Sequence, residues 1–170
     1  ENLLDWSLSQ THGIQCFFES ILLKDFLRRI LEIYQVNLTS KEIEVHVTMG
    51  DNISIRADQH TMATVFRNLI SNSIKFTPRK GFITISAETN DDCVTVQIKD
   101  TGVGMDCQRL ATLFQLQGQR TTYGTEKEKG TGLGLVLVKE FTELNHGQIT
   151  IESDPVAGTL VQISLPMDPI

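Results

Sequence analysis

The sequence predicts a two-layer α/β sandwich of the α+β type, with helices covering one face of a mixed, mostly antiparallel sheet. Three observations carry that expectation. Residues 58–76 bear Met62, Val65, Phe66, Leu69, Ile70 and Ser73 at helical spacing, so one face of a long helix packs on a core. Short alternating apolar runs come in pairs, 43–47 with 53–55, 82–88 with 93–99, and 148–152 with 159–165, and turn residues separate the members of each pair. Helical stretches fall between these pairs, which sorts helices and strands into two layers. With 170 residues, 40% of them hydrophobic, the chain has the apolar material for one ordinary domain with a real core.

Leu3, Leu4, Trp6 and Leu8 open the chain, and periodicity is lost around Gly13. This predicts the end of a helix belonging to something upstream, then a linker, over residues 1–22. His12 sits in that break and is expected to be a solvated turn residue. From 24 to 37 the positions Phe26, Leu27, Ile30, Leu31 and Tyr34 recur at helical spacing and predict one helix. The runs 43–47 and 53–55 flank the turn signal Gly50-Asp51-Asn52 and read as a strand pair. In the helix over 58–76, Asn68, Asn72 and Lys75 fall at i, i+4 and i+7, a polar stripe beside the apolar one. Such a stripe either faces solvent or lines a cleft. Asparagine is a poor helix former, so two at one spacing suggest coordination or hydrogen bonding.

In the strand over 93–99, Val94, Val96 and Ile98 share a face, and the same alternation turns Asp100 toward the apolar side. A carboxylate aimed inward is costly unless it accepts hydrogen bonds. Asp is also a common turn former, but Gly102 and Gly104 follow at once and let the backbone approach whatever Asp100 binds. That favours a ligand site. A short helix is expected over 106–114. Residues 115–129 are polar and glycine-punctuated, which describes a mobile loop; its Arg120, Lys127 and Lys129 could close over phosphates or simply be solvated. In GTGLGL, residues 130–135, three glycines alternate into the apolar helix expected over 131–144. A helix starting there aims unpaired N–H groups and its positive dipole end at a ligand, and phosphate is the usual one. Strands 148–152 and 159–165 close the domain around Asp154-Pro155 and Gly158, and residues 168–170 are expected to be a tail.

The net charge of −6 argues against a nucleic-acid or anionic-membrane binder, so any phosphate site must be built from local groups. Cys16, Cys93 and Cys107 lack metal-ligand spacing and are expected to be reduced thiols of a cytosolic protein. No apolar run approaches the roughly 20 residues of a membrane span, and the chain is expected to be soluble. A planar donor at Asp100, phosphates near Gly130–Gly134 and a metal near Asn72 together describe ATP with Mg²⁺.

Four motifs stand in order: NLISNSIKFT, DTGVGM, LATLF and GTGLGL. They resemble the N, G1, F and G2 boxes of the catalytic, ATP-binding domain of sensor histidine kinases, in the Bergerat (GHKL) superfamily, over about residues 23–167. The opening LLDWSLSQ resembles the tail of a dimerisation helix of such kinases, and the box carrying the phosphoacceptor histidine is absent. The resemblance implies that Asn72 binds Mg²⁺, with Asn68 beside it on the phosphate side. It implies that Lys75 contacts phosphate and Phe76 borders the nucleotide. Asp100 would accept from the adenine amino group in a pocket shaped by Gly102, Gly104 and Met105. Lys129, Gly130, Thr131, Gly132, Leu133, Gly134 and Leu135 would cradle phosphates beneath the 115–129 loop.

It further implies γ-phosphate transfer to a histidine on a neighbouring dimerisation domain, in a homodimeric, membrane-bound sensor whose cytoplasmic part this would be, with a response-regulator receiver downstream. Relatives with an Arg soon after the F-box Phe differ from this chain, which has Gln115-Leu116-Gln117 there. An ATP hydrolase of the same fold competes, but such enzymes place a Glu base one turn before the metal Asn. Here that position is Asn68, which cannot take a proton. A degenerate nucleotide-binding module is the third reading.

Overall fold

The computed structural model describes residues 15–90, 92–114, 124–126, 128 and 133–168. His12, the helix tail expected at the start of the chain, most of the 115–129 loop and the site candidates Lys129, Gly130, Thr131 and Gly132 lie outside the described residues.

Strand β1 (Phe18–Leu22) leads into α1 (Leu23–Ile33) and α2 (Gln35–Lys41), then β2 (Glu44–Thr48) and β3 (Ser54–Asp58). The long helix α3 (Gln59–Phe76) follows, then β4 (Phe82–Asn90), β5 (Cys93–Asp100), the short α4 (Cys107–Ala111), α5 (Gly134–Leu144), β6 (Gln148–Asp154) and β7 (Gly158–Pro166). The main sheet runs β2-β4-β5-β7-β6. Only the β2–β4 pair is parallel; the rest of that sheet is antiparallel. Its alternation sends Ile83, Ile85, Val94, Val96, Ile98, Ile163 and Leu165 into the core. The helices meet that face with Phe26 and Leu27 of α1, Met62, Val65, Phe66, Leu69 and Ile70 of α3, and Leu137, Val138 and Phe141 of α5. The expected two-layer sandwich with a mixed, mostly antiparallel sheet is what forms.

Three local expectations are corrected. Residues 43–47 and 53–55 do not pair with each other: β2 lies parallel to β4, Glu44 opposite Phe82, and β3 runs antiparallel to β1, Phe18 opposite Asp58. The turn residues between them permit a hairpin but do not compel one. The difference lies in burial, since Ile55 and Ala57 of β3 are fully buried while β2 is a largely exposed edge. Second, β1 occupies part of the expected linker. It escapes sequence detection because Ile21 is its only buried residue, too little to make a period. Third, the helix expected over 24–37 breaks at Tyr34 (φ −99°, ψ 7°), whose hydroxyl donates to the Arg67 carbonyl at 3.2 Å. Past the break, Val36 is exposed and Leu38 becomes the buried position. No helix among the described residues is long and apolar enough to cross a membrane.

A buried polar cluster joins the start of α3 to the end of α5. Asp58 caps α3, its carboxylate accepting from Thr61 N at 2.8 Å. Asn145 Oδ1 accepts from Asp58 N at 2.7 Å, and its Nδ2 donates to Thr61 Oγ1 at 2.8 Å and to the Phe141 carbonyl at 2.7 Å. Asn145 is fully buried, so truncating it strands groups that water cannot reach. Asn145→Ala should cost about 1–3 kcal/mol for each donor or acceptor left unpaired. In urea unfolding the midpoint should fall with the slope unchanged; coincident curves for the two proteins would refute this role.

Candidate nucleotide site

The candidate site is assembled along the second half of α3. The apolar stripe of that helix is buried as expected, and the turn-wise offset leaves Asn68, Asn72, Lys75 and Phe76 half-exposed along its border. Asn68 is held by its own helix, Nδ2 donating to the Thr64 carbonyl at 2.8 Å. Its Oδ1 faces the first turn of α5: a Cβ on Gly134 would lie 2.6 Å from that oxygen. Only a glycine lets α5 begin this close to α3. Leu133, Gly134 and Leu135 are half-buried there, so the N-terminal end of α5 stands against the polar stripe.

Asp100 ends β5 and is buried, as its alternation with Val94, Val96 and Ile98 requires. Its Oδ1 accepts from Gly102 N at 2.9 Å and from Thr159 N on β7 at 3.2 Å. The buried Ser73 hydroxyl of α3 also bonds this carboxyl. Burial nevertheless dominates and pushes the Asp100 pKa above the ordinary carboxylate value, against the pull of Gly102, Thr159 and Ser73. The backbone around it is crowded. A Cβ on Gly102 would lie 2.8 Å from the Phe76 carbonyl oxygen, and one on Gly158 would lie 2.1 Å from that of Asp100. Val103 N donates to the Phe76 carbonyl at 3.1 Å, which fastens the turn after β5 to the end of α3.

Gly104 (φ 60°) adopts the left-handed region that glycine tolerates. Gly104 and Met105 are held by the far side of the turn: a Cβ on Gly104 would overlap the Asp154 carbonyl, and Met105 N donates to Ser153 Oγ at 2.9 Å. Two cations flank the Phe76 ring, Lys75 Nζ at 4.9 Å and the Arg109 guanidinium at 5.5 Å from its centroid. Burial lowers the Lys75 pKa; Glu128 opposes this and Arg109 adds to it.

The structure thus brings Asn68 to Gly134, and Ser73, Phe76 and Gly102 to Asp100. Ser73 was legible only as a core position, yet a serine inside an apolar stripe signals a buried hydroxyl in need of a partner. Arg109 and Lys41 were not singled out either. Arg109 lies on a helix too short to show a face. Lys41 carries no signal in the sequence, because only the tertiary fold buries it.

Residues 57–169 match the family described as histidine kinase-, DNA gyrase B- and HSP90-like ATPase. The chain belongs to this ATPase family. Its relatives include the non-motile and phage-resistance protein of Caulobacter vibrioides, 31% identical over 170 residues that cover 98% of this chain and 20% of the relative. Histidine protein kinase DivJ of the same organism is 37% identical over 118 residues, 68% of this chain and 19% of the relative. The chain therefore spans about a fifth of the length of these curated relatives. Among solved structures, Acinetobacter baumannii histidine kinase AdeS superposes with a TM-score of 0.80 at 20% identity, covering 99% of this chain and 76% of that one, which shows the shared fold. The histidine kinase resemblance carried by the four motifs is borne out at the level of family and fold.

The raised Asp100 pKa of this ATPase-family domain has a consequence for stability. Between the ordinary carboxylate pKa and the raised folded value, the native state holds more protons than the unfolded chain, so stability falls as pH rises through that window. Asp100→Asn removes the titration and keeps an oxygen to accept from Gly102 and Thr159. Urea unfolding of both proteins from about pH 4 to about pH 8 should show the variant gaining on the wild type with rising pH. Parallel profiles would contradict the assignment.

Proposed function

We propose that this domain binds ATP with Mg²⁺ and supplies the γ-phosphate to a histidine on a neighbouring dimerisation domain, as part of a homodimeric sensor kinase. One observation carries the reading: a buried carboxylate, Asp100, sits at a strand end with acceptor capacity to spare. An ionised carboxylate offers about four lone-pair sites, and Gly102, Thr159 and Ser73 take three. A planar amino group such as that of adenine fits the remainder. Gly102 and Gly104 keep the pocket wall free of side chains, and Met105 continues that wall. Phe76 borders the base and sugar.

Asn72 is the residue that would hold Mg²⁺, with Asn68 on the phosphate side. Mg²⁺ prefers few protein ligands, leaving its other positions to phosphate oxygens and water. When bound, the ion neutralises charge on the transferring phosphoryl group. Lys75, already short of solvent, offers its ammonium to phosphate. The first turn of α5 from Leu133 to Leu135 gives its N–H groups to phosphate, and Lys129, Gly130, Thr131 and Gly132 of the same motif are assigned to phosphate with it. Asn68 spends its amide on Thr64 and has no proton-accepting side chain, so this chain lacks at that position a base to activate water. Phosphoryl transfer instead asks mainly for positioning and charge neutralisation, which the remaining groups supply. The names of the relatives support the kinase reading; in that reading the domain works in the cytoplasm, with a response-regulator receiver as the later acceptor.

Losing a charge-assisted hydrogen bond at Asp100 is worth roughly 1.5–3 kcal/mol. Calorimetry of Asp100→Ala should then show an ATP affinity lower by about ten- to hundred-fold, and equal affinities would sink the adenine assignment. Asn72→Ala should weaken Mg²⁺-dependent ATP binding while leaving adenosine binding nearly intact. With radiolabelled ATP the chain alone should stay unlabelled. Label should appear on an added protein carrying the upstream dimerisation helices with their histidine. Brisk hydrolysis by the isolated chain would favour the ATPase reading instead.

A further inference from the structure

Lys41 is buried at the end of α2, far in sequence from every motif. A lysine ammonium loses its hydration at such a place and must find partners. It finds four acceptors: the Ile74 carbonyl at 2.8 Å, the Lys75 carbonyl at 3.2 Å, Thr125 Oγ1 at 2.7 Å and Glu128 Oε1 at 3.1 Å. The first two belong to the last turn of α3, whose carbonyls lack intrahelical partners and carry the negative end of the dipole. The other two belong to the described part of the loop that precedes the glycine-rich helix start. Thr125 N also donates to the Lys75 carbonyl at 3.0 Å, and Thr125 Oγ1 lies 3.2 Å from the Thr77 carbonyl.

Gly124 and Glu126 are in turn held to Glu128. Gly124 N donates to the Glu128 carbonyl at 2.9 Å, and Glu126 N donates to Glu128 Oε2 at 2.8 Å. Burial disfavours the Glu128 charge, but the backbone N–H groups of Glu128 itself and of Glu126, with the Lys41 ammonium, prevail and hold its carboxyl below the ordinary range. Arg79 adds an exposed clamp, 2.8 Å from Glu42 and 3.4 Å from Glu126; exposed pairs of this kind contribute little alone. The buried ammonium is the group that joins α2, α3 and the loop.

We propose that Lys41 is a positioning residue for nucleotide binding: it fixes Thr125 and Glu128 to the last turn of α3 and thereby sets where Lys75 meets the phosphates. The inference rests on the ATP reading above. Lys41 bonds the Lys75 main chain and not its side chain, and its ammonium is spent on protein acceptors. Its effect reaches the ligand through the Lys75 main chain. The phosphate end of the ligand therefore depends on it, and the adenine end, held by Asp100 at the strand terminus, does not.

The experiment compares wild type with Lys41→Met, which keeps the stem and removes the ammonium, and with Thr125→Val, which leaves Lys41 in place should the first variant fail to fold. In Lys41→Met, hydrogen exchange at the Thr125 amide should accelerate, and ATP affinity by calorimetry should fall by about tenfold while adenosine affinity stays level. Thr125→Val should show the same selectivity with a smaller loss, and Lys41→Arg should restore part of it. Unchanged Thr125 exchange or unchanged ATP affinity in Lys41→Met overturns the proposal. So does an equal loss for ATP and adenosine, which would mark Lys41 as merely structural. Failure of the wild type itself to bind ATP would overturn the nucleotide reading and leave the exchange result to judge the anchor.

Discussion

The last turn of α3 presents carbonyls that the helix cannot satisfy, and three separate segments come to meet them. Ile74 is taken by Lys41 from α2, Lys75 by Thr125 from the loop, and Phe76 by Val103 from the turn after β5. The turn after β5 carries part of the candidate site, and the loop leads toward the start of α5. The helix end therefore acts as a hub. Withdrawing Lys41 would leave the Ile74 carbonyl without this partner, and withdrawing Val103 would do the same to that of Phe76, each at a cost of about 1–3 kcal/mol. This explains why glycines crowd the same place. Gly102 lets the strand-end turn lie on the Phe76 carbonyl, and Gly124 sits where a Cβ would lie 2.8 Å from that of Lys75.

Electrostatics follow the same geometry. The chain is acidic overall, with a net charge of −6, so its field does not attract phosphate. The attraction has to be local, and the structure gathers Lys75 and Arg109 at one phenyl ring. Burial, and after it the repulsion from Arg109, lower the Lys75 pKa against the pull of Glu128. An anionic ligand would relieve that repulsion. Asp100 is the opposite case, a carboxylate whose desolvation outweighs its hydrogen bonds. One end of the site thus favours an anion and the other a hydrogen-bond donor, which is the polarity of a nucleotide laid along α3.

The elements that could be read from sequence are those whose pattern is fixed by a large buried face. The stripe of α3 contains Met62, Val65, Phe66, Leu69 and Ile70, all essentially buried, and its start is marked by the Asp58 cap. The alternation of β5 likewise placed Asp100 inside. What the sequence concealed were features decided by distant partners. β2 and β3 have the same local character, and only the neighbours β4 and β1 tell them apart. β1 contributes a single buried side chain. The loop after Phe114 looked untethered because its residues are polar. Yet the described residues Thr125 and Glu128 are tied down by a lysine 84 and 87 positions earlier. Of the residues at and around the site, Asn68, Asn72, Lys75 and Asp100 were legible from spacing, while the roles of Ser73 and Lys41 rest on contacts that no period encodes.

Helices α3 and α5 are joined at two levels. At one level Asn145 bonds both Asp58 and Thr61, a buried polar link that tolerates little displacement before a donor is orphaned. At the other level Gly134 meets Asn68 with no room for a side chain, a contact without a hydrogen bond to break. The first fixes the end of α5 against the start of α3, and the second fixes the start of α5 at a distance that only a glycine permits. Asp100 is held by a separate set of contacts, from Gly102 after β5, Thr159 of β7 and Ser73 of α3. The two parts of the candidate site are therefore positioned independently, one by the packing of α5 on α3 and the other by the end of β5.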